Sequence, residues 1–127
     1  EQLRLAESGR WQSAAARDLN AARLLTAEEP GASVFHSQQV AEKAAKAFLT
    51  FHNVPFRKTH DIQDLGKQCA PLNSSLAVLL KESDFLTDYA VTFRYLDAPR
   101  VPDQHEAEVA FQTAQRIYEQ VCALLVL

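Results

Sequence analysis

The chain has 127 residues, of which 47% are hydrophobic and 23% charged, with a formal net charge of −3. That is length enough for one domain, spanning 1–127, which buries about two thirds of the surface its unfolded chain would expose. The mildly acidic balance gives no overall attraction for polyanions, so any phosphate recognition must come from a local cluster.

Only three glycines and five prolines occur, mostly between periodic segments, and no strand-like alternation runs long enough to build a sheet. The chain therefore reads as all-α. The first helix is expected over 9–27, with Trp11, Ala15, Leu19, Ala22 and Leu25 on one face. Glu28, Glu29, Pro30 and Gly31 stop it, because proline cannot continue the hydrogen-bond ladder.

A second helix is expected over 32–52, roughly 30 Å long at 1.5 Å per residue. Val34, Ala41, Ala44 or Ala45, Phe48 and Phe51 recur at the three-and-four spacing of a buried face. His36, Gln39, Lys43 and Lys46 form a second, polar row. Glu42 and Lys46 stand one turn apart in the order that favours an ion pair. Small residues let a neighbouring helix approach closely while the polar row stays available to a ligand.

Asn53, Val54 and Pro55 end this helix. Thr59 or Asp61 caps a short third helix carrying Ile62, Leu65 and Cys69, and Pro71 closes it. Asn73, Ser74 or Ser75 opens a fourth helix with Leu76, Leu79, Leu80, Leu86 and Tyr89 inward. A loop over 93–102 holds Arg94, Tyr95, Asp97 and Arg100. Asp103-Gln104-His105-Glu106 then reads as a capping box with aspartate in place of serine or threonine. The last helix carries Ala107, Ala110, Phe111, Ala114, Ile117, Tyr118, Val121 and Leu125. The expected architecture is an up-and-down bundle of four long helices plus one short inserted helix.

Cys69 and Cys122 lie far apart within apolar patterns, which reads as two buried free thiols in a reducing compartment. No apolar run approaches the ~20 residues that span a bilayer, and no signal-peptide pattern opens the chain. A cytoplasmic location away from membranes is the expectation. The first residue is not methionine, so a stretch of natural N-terminus is expected to precede it. No zinc-like spacing, glycine-rich phosphate loop or nucleophile elbow occurs, so neither a metal nor a cofactor is expected. Trp11 and the aromatic residues at 48, 51, 85, 111 and 118 read as core stripes.

Five groups of residues in this order resemble the HEPN family of small helical domains. They are Trp11 with Ala15, Ala16, Asp18 and Leu19; the run from Gln38 to Ala47; Lys58-Thr59-His60-Asp61-Ile62 with Leu65; Tyr89 and Phe93-Arg94-Tyr95; and Glu106 with Ala110, Ala114 and Ile117. The resemblance covers nearly the whole chain. It implies a helical bundle that commonly forms a homodimer through its long helices. It also implies nucleotide or RNA binding, or pairing with a minimal nucleotidyltransferase, often in toxin–antitoxin pairs. One branch of the family consists of metal-independent ribonucleases marked by an arginine followed four to six residues later by histidine.

Arg100 and His105 satisfy that spacing. Attack by a ribose 2′-hydroxyl needs an acid or base working near pH 7 and a cation for the developing phosphorane charge, which histidine and arginine supply. The polar residue that usually follows the arginine is missing here, and Pro102 lies inside the motif. In the subgroup the chain most resembles, the arginine belongs to an Arg-Tyr-Pro sequence, here Arg94-Tyr95-Leu96. The favoured reading is a non-catalytic binding module using Gln39, Glu42, Lys43, Lys46, His60, Arg94 and Tyr95. A ribonuclease built on Arg100 and His105, and a purely structural dimerisation domain, are the alternatives.

Overall fold

The computed structural model describes residues 2–90 and 101–126. Its framework is a set of three long helices, α1 (Gln2–Leu25), α2 (Pro30–Phe51) and α5 (Gln104–Leu124). Two shorter ones, α3 (Ile62–Cys69) and α4 (Ser74–Glu82), and a 3-10 segment (Asp84–Ala90) lie between α2 and α5. No strand occurs among the described residues.

Helix α2 is the spine. It packs against α1, α5, α3 and the 3-10 segment, and fifteen of its 22 residues are buried. Alanines 41, 44, 45 and 47 allow this, because their methyl groups keep neighbouring backbones close on several sides. Phe48 and Leu49 then fill the centre together with Ile62, Leu65, Leu76, Leu80, Leu86 and Ile117, each exposed by 1% or less.

Helices α1 and α2 run antiparallel, and two serines fix their register. Ser8 Oγ donates to the Ala47 carbonyl at 2.8 Å near one end, and Ser33 Oγ donates to the Ala22 carbonyl at 2.8 Å near the other. Both hydroxyls are buried, so each bond adds about 1 kcal/mol and removing its acceptor would strand a polar group.

The boundaries show where local signals compete. Helix α1 begins at Gln2 rather than residue 9, since Gly9 is carried inside the helix. It stops at Leu25, and Pro30 opens α2 instead of ending α1, its missing N–H costing nothing at a first helical position. Asn53, at φ 57°, takes the left-handed turn after α2, which asparagine tolerates. Asp61 caps α3 through Gln63 N at 2.9 Å and Asp64 N at 3.3 Å, while Thr59 Oγ1 accepts from Asp61 N at 3.0 Å. Asn73 caps α4 at Leu76 N, and Asp103 caps α5 at Glu106 N.

The long fourth helix expected from Leu76 to Tyr89 breaks instead. Ser83, 1% exposed, turns its hydroxyl onto the Leu79 carbonyl at 2.7 Å, and the chain tightens into the 3-10 segment. Leu86 still reaches the core and Tyr89 packs against it, because i and i+3 align in either helix type. Phe85, read as a core aromatic, is 42% exposed. Cys69 is buried and Cys122 half-buried; both are free thiols.

Candidate functional site

Two buried carboxylates organise the polar side of α2. Asp18 comes from α1, its position set by the same three-and-four spacing that buries Ala15 and Ala22. Its Oδ1 lies 2.7 Å from His36 Nδ1 and its Oδ2 lies 2.6 Å from Lys43 Nζ. Glu42 comes from α2 itself. Its Oε1 lies 2.6 Å from His60 Nδ1 and its Oε2 lies 3.6 Å from Lys46 Nζ. Each acid is thus held between a histidine and a lysine.

Burial explains the pairing. A carboxylate removed from water must be compensated by charge or hydrogen bonds. The Glu42 side chain is 5% exposed and that of Lys46 10%, so these are not the surface pair that their i, i+4 spacing alone would suggest. The Lys46 ammonium is also 5.4 Å from the Trp11 ring centre and 5.5 Å from that of Phe56, two rings that meet edge-to-face at 6.0 Å. Aromatic faces attract a cation, and they attract it more when water is excluded.

The histidines are turned outward. An ionised carboxylate only accepts, so the Nδ1 facing it carries a proton and Nε2 is the ring nitrogen that the acid does not engage. The His60 side chain is 55% exposed and the His36 side chain 30%. Gln39 stands one helical turn after His36 and one turn before Glu42, between the two clusters. Its Nε2 donates to Gln38 Oε1 at 2.6 Å, and Gln38 Nε2 donates to the His60 carbonyl at 3.3 Å. That chain of bonds holds the backbone entering α3 against α2.

Of the residues expected from the sequence, Gln39, Glu42, Lys43, Lys46 and His60 come together along α2. Arg94, Tyr95 and Arg100 lie outside the described residues. His105 is exposed on the first turn of α5, and no hydrogen bond or ion pair among the described residues joins it to the α2 row. Asp18, Trp11 and Phe56 were not among the expected site residues, and His36 was expected only as a member of the polar row of α2. An acid at a core-spaced position of α1 was the signal for Asp18, and nothing local marks Phe56.

His52 is exposed and stacks near Phe48 and Phe51. Among the described residues, no group of three or more His, Cys, Asp or Glu side chains is placed to hold a metal ion. No described helix is long and apolar enough to cross a membrane. Near the start of α3, the Arg57 guanidinium at 2.6 Å holds the Asp64 carboxyl below the usual carboxylate range. Burial pushes the Cys69 thiol up to about 12.

Compared with known protein families, residues 8–124 match the model of the HEPN domain, which is nearly the whole chain. No curated protein and no solved structure gives a significant match.

Proposed function

The chain belongs to the HEPN domain family, a group of nucleotide- and RNA-related helical modules, and on that premise we propose that it is a non-catalytic binding module for a phosphate-bearing nucleotide or RNA. The ligand surface in this reading is the edge of α2 around Gln39, flanked by His36 and His60. The observation that carries it is the pair of carboxylate-oriented imidazoles. Each presents Nε2 away from its buried acid, preorganised to accept a ribose or base N–H or O–H, or to donate to phosphate once protonated.

The lysines take a supporting part. Lys43 and Lys46 already neutralise Asp18 and Glu42, so in this reading they hold the acids that aim the histidines. The family resemblance adds Arg94 and Tyr95 to the surface as a guanidinium and a stacking ring. On family grounds the proposal extends to a homodimer and to a minimal nucleotidyltransferase as protein partner, as in toxin–antitoxin pairs, acting in the cytoplasm.

Calorimetric titration with nucleoside mono- and triphosphates and with short single-stranded RNA tests it. Wild type should bind, and His60→Ala and His36→Ala should each weaken binding about tenfold, the loss of one hydrogen bond to a charged group. Unchanged affinity in both variants, or no binding by wild type up to about 1 mM, overturns the reading.

A further inference from the structure

We propose that the hollow beside Trp11 is a guanine-binding subsite of the α2 surface, an inference that rests on the nucleotide reading above and narrows its ligand to a guanine nucleotide. Glu7, Arg10, Trp11 and Ala14 fall on one face of α1 at helical spacing and line a hollow of about 310 Å³. Ala14 offers only a methyl group, so the Trp11 ring is its broad apolar wall. Glu7 and Arg10 are exposed and stand at i and i+3, yet they form no ion pair, and no described residue partners either of them. The hollow thus combines a flat ring, a free carboxylate and a free guanidinium.

Guanine is the base whose edges match that set. It carries adjacent donors at N1 and the 2-amino group, which a carboxylate accepts as a pair, and adjacent acceptors at O6 and N7, which a guanidinium fork reads. Adenine would set its N1 lone pair against Glu7 and its 6-amino group against the Arg10 donors. Stacking alone does not choose between them, because every base has a π-face. The ring itself is already fixed. Trp11 is half-buried, meets Phe56 edge-to-face at 6.0 Å and holds the Lys46 ammonium 5.4 Å from its centre, so little ordering is left to lose when a base stacks on it.

The subsite is continuous with the histidine edge of α2. Lys46 joins Trp11 to Glu42, whose Oε2 lies 3.6 Å from the ammonium and whose Oε1 lies 2.6 Å from His60 Nδ1. Lys46 and Gln39 are two turns apart, about 10 Å along α2. A base stacked on Trp11 therefore leaves its ribose and phosphate within reach of the His60 side, where the imidazole meets them.

Trp11 is the single tryptophan of the chain, so its emission reports this hollow directly. Guanosine monophosphate should quench it, after correction for absorption by the nucleotide. By calorimetry it should bind about 30-fold more tightly than adenosine monophosphate, the scale of one bidentate base contact. Inosine monophosphate, which lacks the 2-amino group, should fall between the two. Glu7→Gln, a change at an exposed position, should remove most of the guanine preference, whereas His60→Ala should weaken both nucleotides alike. Nucleotide binding that leaves Trp11 emission unchanged, equal affinity for the guanine and adenine nucleotides, or a preference that survives Glu7→Gln overturns the subsite while the α2 surface stands. Failure of every nucleotide to bind overturns both.

Discussion

Lys46 Nζ lies 3.6 Å from Glu42 Oε2 with both side chains almost out of water and two aromatic rings facing the ammonium. Removing the acid alone leaves a buried cation without its counter-charge. Glu42→Gln should therefore destabilise the fold by about 3 kcal/mol in a urea titration. Asp18→Asn should cost less, about 1 kcal/mol, because Lys43 and His36 are 25% and 30% exposed and can turn to water. Equal losses in the two variants would show that burial does not rank these clusters.

Two of the helical glycines, Gly9 and Gly66, should respond with opposite signs. A Cβ at Gly66 would meet Leu80 Cβ at 3.1 Å inside the packed α3–α4 contact, so Gly66→Ala should lose about 1 kcal/mol. A Cβ at Gly9 meets nothing within 4 Å, and Gly9 sits inside α1. Gly9→Ala should gain about 0.5–1 kcal/mol from helix propensity. Thermal melts of the two variants, shifted in opposite directions, check this.

The thiols should differ in reactivity and in pH linkage. Half-buried Cys122 accepts a bond from Gln12 Nε2 at 3.1 Å, whereas buried Cys69 is raised to about 12. A thiol reagent at pH 8 should label Cys122 in the native protein and reach Cys69 only on unfolding. A folded-state value above the unfolded one means full stability below about pH 9, lost as pH rises toward 12. The loss amounts to at most about 1.4 kcal/mol per pH unit from this group, and Cys69→Ala should flatten that limb.

Single-stranded RNA incubated with the protein in EDTA should remain intact, as a binding module requires. Cleavage that disappears in His105→Ala would replace that reading with the Arg100–His105 nuclease.

Much of this fold could be read from local chemistry. The alanine-rich run of α2 announced its buried face, and Asp61, Asn73 and Asp103 marked helix starts because short polar side chains satisfy free N–H groups. The break at Ser83 was hidden, since Leu79, Leu86 and Tyr89 keep a helix-like spacing through it. At the site, the residues on α2 were visible as a row, and their partners were not. Asp18 approaches from another helix, and Phe56 comes from the irregular stretch before α3. A periodicity within one segment carries no information about which distant side chain covers it. That is also why Lys46 looked available in the sequence and is enclosed in the fold.

The near-complete enclosure of α2 bears on how occupancy would be felt. An element walled in on most sides exchanges its amide hydrogens only when everything around it comes apart. A molecule gripping the edge of it left accessible among the described residues consequently holds the last piece to open, so binding should slow all the amides that exchange only through global opening, in step with the ratio of free ligand to its dissociation constant, rather than quiet a single nearby loop.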